Sequence, residues 1–207
     1  DIEYDWAIED NGAADKTSYC FRMVESDGTL FTAYNDYPTV HTIGYGAQSQ
    51  DWQWFDDSLN ATPTTTLAGT NTAPIDIDVD NAIKLELTLR EVNGAPSHNA
   101  KFRLQFSEFA SFATATFVEA SSTCTNLSFW CYTDGGGTDN ATITAKKMGD
   151  ADACVAGVGD GCGTYNEFGT TTSVFTHKAG AATEFSFTIR NSGARVNRVY
   201  YFRAYDA

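Results

Sequence analysis

The sequence predicts an all-β protein built as a β-sandwich, and three observations lead to this prediction. Apolar and polar residues alternate with a period of two in many short segments, the pattern of strands with one buried face. The 207 residues include 14 Phe, 10 Tyr and 4 Trp, and aromatic side chains favour strands. Turn-forming pairs such as Asn93-Gly94 and Ser192-Gly193 separate the segments.

The alternating segments follow one another along the chain, and no window has a convincing helical period. They comprise residues 4–8, 19–23, 52–54, 75–79, 85–89, 102–106 and 185–189. In the fourth segment, Ile75, Ile77 and Val79 are expected on one face of a strand. Asp76, Asp78 and Asp80 are then expected on the opposite face.

Two Gly- and Asp-rich stretches, residues 133–141 and 149–164, interrupt the alternation. We expect both to be long surface insertions without a core of their own. Each has cysteines in it or close before it: Cys124 and Cys131 are seven residues apart, and Cys154 and Cys162 are eight apart. Neither spacing is that of a zinc site, so the sequence favours two local disulfides. Reduced, buried cysteines are the alternative.

Disulfides indicate an oxidising compartment, and we therefore expect an extracellular or cell-surface location. The sequence lacks the roughly 18-residue apolar stretch of a membrane helix. The net charge of −14 argues against nucleic acid as a partner. Three Asn-X-Ser/Thr sequons, at Asn60, Asn126 and Asn140, weakly suggest glycosylation.

The two ends of the chain carry an internal repeat. Residues 3–22 align without gaps on residues 184–203, and seven of the twenty positions are identical. The identical pairs are Glu3 with Glu184, Ile8 with Ile189, Gly12 with Gly193, Ala13 with Ala194, Tyr19 with Tyr200, Phe21 with Phe202 and Arg22 with Arg203. In addition, Phe185 and Phe187 replace Tyr4 and Trp6. A repeat at domain-length spacing indicates a tandem array.

In each copy a strand, a turn and a second strand follow one another, with Tyr19 or Tyr200 early in the second strand. This order resembles the tyrosine corner of Greek-key sandwiches, in which the hydroxyl bonds back to the turn. Core aromatic residues are the alternative reading of both tyrosines. Residues 17–28 resemble strands F and G of a fibronectin type III domain. The fold class is thus expected to be an Ig/fibronectin III-like β-sandwich with long disulfide-stapled loops.

With the tail Gly28-Thr29-Leu30 and the following Tyr34 and Pro38, the first copy also resembles the end of a module in long tandem-repeat bacterial surface proteins. Those modules carry a "TYCFR…DGT…Y…YP" signature. Residues 52–57, 84–87 and 101–106 resemble the start of the next such module. The motifs cover about a third of the chain, and residues 110–180 depart from the pattern. The resemblance implies sandwich modules and gives no reason to expect an enzymatic activity.

The repeat predicts two regions. Residues 1–45 would be the terminal strands of a preceding module or a donor segment for assembly. Residues 46–207 would be a sandwich that lacks its own last strand, since nothing after Phe202 matches Leu30, Phe31 and Tyr34. A strand from the N-terminal segment of the same or a neighbouring chain could fill the gap. The alternative is that the sequence stops before that strand.

The residues expected to take part in assembly are apolar and lie in the two copies or the tail of the first. They are Tyr4, Trp6, Ile8, Tyr19, Phe21, Leu30, Phe31, Tyr34, Phe185, Phe187, Tyr200 and Phe202. Charge supports head-to-tail contact, because residues 1–20 carry six acids and one Lys, and residues 184–203 carry four Arg and one Glu. Cys20 is matched by Tyr201, so we expect it to be unpaired or bonded outside this chain.

No catalytic motif stands out, and we expect no enzyme and no cofactor. Structural calcium is an open alternative, with Asp76, Asp78 and Asp80 as weak candidates. The leading hypothesis is a structural subunit of an extracellular filament or repeat-built surface fibre, whose partners are copies of itself or neighbouring modules. The alternative is a carbohydrate-binding or adhesive module that binds glycans through an aromatic residue such as Trp130.

Overall fold

The protein is all-β, as the sequence predicts. The computed structural model describes residues 4–56, 58–95, 97, 99–125, 128–155, 161–169 and 171–207, and these contain ten strands and no helix. The chain divides into two compact units, residues 1–45 and 46–207. That residues 1–45 end a preceding module stays a prediction.

The first unit holds one short antiparallel pair. Strands β1 (Ser18–Cys20) and β2 (Thr39–His41) pair with Tyr19 opposite Val40. Of the described residues of this unit, Gly44 alone is buried. The described residues 4–45 therefore form no apolar core of their own. Residues 4–8, expected to form a strand, lie outside the two strands of the unit.

The second unit contains two sheets. Their strands are β3 (Ala47–Phe55), β4 (Ala82–Glu91), β5 (Phe102–Ser107), β6 (Thr116–Phe117), β7 (Trp130–Tyr132), β8 (Cys162–Asn166), β9 (Ala182–Asn191) and β10 (Tyr201–Asp206). One sheet has the order β3-β4-β9-β7, and β8 pairs in parallel with the first half of β9. The other sheet has the order β10-β5-β6 and is antiparallel.

The two sheets face each other as a β-sandwich, and aromatic side chains fill the space between them. The ring of Phe102 on β5 lies 5.5 Å from that of Phe185 on β9. The ring of Phe202 on β10 lies 5.1 Å from Trp54 on β3. The long alternating strands supply this core because every second side chain of β4 and β9 points towards the facing sheet.

The described parts of the two Gly/Asp-rich stretches lie over the outer face of the five-stranded sheet, and polar side chains of that face are buried. Lys84 on β4 is fully buried, and its Nζ donates to the carbonyl oxygens of Asn60 and Gly135, both at 2.7 Å. Residues 162–164 of the second stretch belong to β8.

Both predicted disulfides are present. Cys124 bonds to Cys131 and Cys154 bonds to Cys162, with Cα–Cα distances of 5.8 and 4.9 Å. Cys131 lies on β7 and Cys162 on β8, and each disulfide closes a short loop, so the disulfide-stapled loops of the predicted fold class are confirmed. Cys20 is exposed and free.

The strand predicted for residues 75–79 is wrong. Residues 73–79 are not in a strand, and Ile75 is 82% exposed. The reason is local, because Asp76 and Asp80 adopt φ values of 58° and 66°. Left-handed backbone at these positions breaks the alternation of side chains that an extended strand requires. Asp76, Asp78 and Asp80 therefore do not line one face of a strand.

Candidate assembly surface

The two copies of the repeat contain the same hydrogen bond. In the first copy the backbone N–H of Ala14 donates to the hydroxyl of Tyr19 at 2.8 Å. In the second copy the N–H of Arg195 donates to the hydroxyl of Tyr200, also at 2.8 Å. The two donors occupy equivalent positions in the alignment. The hydroxyl-to-turn bond expected of a tyrosine corner is thus present in both copies.

The turn before each tyrosine is fixed by an equivalent side chain. The Oδ1 atom of Asp10 accepts the N–H groups of Gly12 and Ala13, at 3.1 and 2.8 Å. The Oδ1 atom of Asn191, which aligns with Asp10, accepts the N–H of Ala194 at 2.9 Å. Both are short-range Asx-type turns. The sequence repeat therefore encodes one local conformation twice.

The apolar residues that precede the turn differ sharply between the copies. Phe185, Phe187 and Ile189 lie on β9 and are 0% exposed. Tyr4, Trp6 and Ile8, their equivalents, are 60%, 71% and 61% exposed. The same pattern thus forms the centre of a core in one copy and lies on the surface in the other.

The remaining predicted assembly residues of the first unit are also accessible. Phe21, Leu30 and Phe31 are exposed. The ring of Tyr34 stacks on Phe31 at 5.8 Å and on Tyr37 at 5.5 Å, and its hydroxyl donates to a backbone carbonyl. These contacts form an aromatic cluster on the surface of the first unit rather than a closed core.

In the second unit, Tyr200 and Phe202 connect the repeat to the core. The Phe202 ring lies 5.2 Å from Trp130, and the Tyr200 ring lies 5.7 Å from the same residue. The Tyr200 hydroxyl also bonds to the carboxylate of Glu108 at 3.2 Å. Burial raises the pKa of Tyr200 above its usual value, with the charge of Glu108 adding to the effect. Trp130 is only 4% exposed, and it contributes to the lining of a surface cavity.

The sequence also predicts three glycosylation sites and weak calcium candidates. Asn60 is exposed and Asn140 is half-buried, whereas Asn126 lies outside the described residues. Within the described part of the chain, no group of three or more His, Cys, Asp or Glu side chains is placed to hold a metal ion.

A pair of buried carboxyl groups was missed by the sequence analysis. Glu86 on β4 is buried and accepts the hydroxyl of Ser186 at 2.9 Å. Burial raises its pKa well above the usual value, and the charge of Glu184 on β9 raises it further. Glu184 accepts the backbone N–H groups of Lys147 and Met148, but burial still raises its pKa. Period-two alternation marks these positions only as the polar face of a strand, and nothing local shows that loops cover them.

One surface cavity of about 580 Å³ lies at an end of the sandwich. Its lining includes Phe109, Phe117 and Phe129 together with Glu108 and Arg195. Aromatic side chains beside charged ones could contact a polar ligand.

The chain was also compared with membrane helices and with known proteins. Within its described part, no helix has the length and apolar character needed to cross a membrane. The chain matches no protein-family model, no curated protein and no solved structure.

Proposed function

We propose that this chain is a structural subunit of an extracellular filament or repeat-built surface fibre. Copies join head to tail, and residues 1–45 of one copy complete the sandwich of the next by β-strand complementation. The two disulfides support an oxidising location outside the cytoplasm.

One observation carries this proposal. Tyr4, Trp6 and Ile8 are exposed although the equivalent residues of the second copy are fully buried. Leaving three large apolar side chains in water forfeits about 1.5–3 kcal/mol for each that could be buried. A partner that covers the first unit would recover part of this free energy.

Electron microscopy of the negatively stained 207-residue chain tests the function. Ordered filaments are expected at high protein concentration. Removal of residues 1–40 should leave particles that do not polymerise. The second unit keeps its own core in that variant, so loss of filaments would not reflect unfolding. Monodisperse monomers of the full chain, or unchanged filaments after the removal, would contradict the proposal.

A second function, binding of glycans, is favoured by the surface cavity next to Phe109. Phe109 is exposed, so Phe109→Ala should leave the fold intact while it removes one aromatic face of the lining. A glycan array provides the measurement. Binding that disappears in this variant would support an adhesive module, whereas no binding by the unaltered protein would exclude the glycans on the array.

A further inference from the structure

Strand β10 has one open edge. It lies at the end of the order β10-β5-β6, and no other strand of the described residues pairs with it. Its sequence, Tyr-Phe-Arg-Ala-Tyr-Asp, contains no Pro or Lys, and its one basic side chain, Arg203, bonds to Gln105 on β5. The edge is therefore able to accept another strand.

The hydrogen bonds to β5 show which residues face this edge. The N–H of Ala207 donates to the carbonyl of Lys101 at 2.9 Å, directly beyond the pair formed by Asp206 and Phe102. Backbone groups of successive residues point to opposite edges of a strand. Odd-numbered residues of β10 therefore bond to β5, and the N–H and C=O groups of Phe202 and Ala204 point to the open edge.

In the first unit the equivalent edge is filled. The N–H of Phe21 donates to the carbonyl of Pro38 at 2.9 Å, and the N–H of Thr42 donates to the carbonyl of Thr17 at 3.0 Å. Phe21 is the repeat equivalent of Phe202. The edge that β2 occupies beside β1 is thus the same edge of the repeat that is open on β10.

We propose that β2 of a second copy of this chain pairs with the open edge of β10. This proposal rests on the proposed function and identifies the contact through which copies would join. Transferred by the repeat, the register of β1 and β2 places Val40 opposite Tyr200 and Thr39 opposite Tyr201. Val40 then lies beside the Tyr200 ring, which packs on Phe106 and Trp130, and so extends the aromatic core.

The first unit gives up little when it donates β2. The β1–β2 pair has three residues on each side, and the unit buries no apolar side chain among its described residues. Exchange of an identical element between copies is a low-cost route to association. Here β2 would leave β1 and pair with β10 of another copy, and β10 begins in the sequence that is equivalent to β1.

Charge favours a second copy as the donor. Residues 1–45 contain nine acidic and two basic residues, whereas residues 190–203 contain four Arg and no acid. The donating unit and the accepting strand therefore attract each other, and they lie at opposite ends of the chain. A contact between opposite ends repeats from copy to copy and is head-to-tail.

A disulfide crosslink tests the register. Thr39 and Tyr201 would form a non-hydrogen-bonded pair, in which Cα atoms are about 4.5 Å apart and within disulfide reach. We therefore combine Thr39→Cys with Tyr201→Cys in the Cys20→Ser background of the full chain. Both altered positions are exposed, so folding should be preserved. Non-reducing gels should shift from a monomer band to dimers and higher oligomers that reductant converts back to monomer.

The matched control combines Thr39→Cys with Tyr205→Cys in the same background. Tyr205 is also exposed and has the same orientation on β10, but it lies four residues out of register. Equal crosslinking in the control, a crosslink inside single chains, or no crosslink would overturn the β2–β10 contact. Filaments without the crosslink would overturn the contact and leave the filament function standing. Crosslinked dimers without filaments would support the contact and remove the filament function.

Discussion

The backbone of Gly135 passes so close to Thr188 on β9 that a Cβ atom on the glycine would lie 2.1 Å from the threonine Oγ1. The same Cβ would lie 2.7 Å from the Oε1 atom of Glu167. Because Gly135 has no side chain, the loop can approach the sheet this closely and cover the buried polar face.

Gly135→Ala should destabilise the protein, because neither the short Thr188 side chain nor the loop can move without disturbing the covered face. We expect a loss of about 1–3 kcal/mol in the free energy of unfolding, measured by urea denaturation. Gly149→Ala is the matched control, since a Cβ there meets nothing within 4 Å. Equal stability of the two variants would show that the loop does not pack on the sheet.

The position of this loop could not be predicted from the sequence, whereas the main strands could. The alternation in β4, β5 and β9 predicts their location and their core faces, because those signals lie within a few neighbouring residues. The cysteine spacing likewise predicts both disulfides. The burial of Lys84 and Glu86 could not be predicted, since it depends on where a distant loop folds. The wrong strand at residues 75–79 has a different, local origin, because left-handed backbone at Asp76 is not visible in an apolar–polar pattern.

The local geometry of the repeat could be predicted only in part. The identity of Tyr19 and Tyr200 predicts the hydroxyl bond found in both copies. What the alignment could not show is that Trp6 is exposed while Phe187 is buried, because burial depends on neighbouring strands rather than on the repeated sequence itself.

Tyr200→Phe should remove the hydrogen bond from the Arg195 N–H and the bond to Glu108 while it retains the aromatic ring. A loss of about 1–2 kcal/mol is expected, because each of the two net hydrogen bonds contributes about 0.5–1.5 kcal/mol. Thermal denaturation provides the measurement, with Tyr201→Phe as the control because the Tyr201 side chain is exposed. If both variants melt at the same temperature, the corner does not stabilise the second unit.

The Glu86–Glu184 pair should make stability depend on pH. Its carboxyl pKa values are raised by folding, so the folded protein holds more protons than the unfolded chain above the ordinary carboxyl pKa. The contribution of the pair is thus fully present below about pH 4 and is lost as the pH rises through the raised values.

Glu86→Gln keeps the size of the side chain and an acceptor for Ser186, but it cannot ionise. Its melting temperature should fall less than that of the unaltered protein between about pH 5 and about pH 8. Glu25→Gln, which changes an exposed carboxyl group, should retain the original slope. Parallel pH profiles for Glu86→Gln and the unaltered protein would contradict a shared, raised titration.

The central claim is that exposed apolar residues of the first unit become covered when copies assemble, and sedimentation of the full chain tests it most directly. The double variant Trp6→Ser and Ile8→Ser changes side chains that are already exposed, so each copy should fold as before. Ile75→Ser is the control, because Ile75 is also exposed but lies in the second unit. We predict fast-sedimenting assemblies for the unaltered chain and the control, and monomers for the double variant. Assemblies of unchanged size in the double variant would contradict the account.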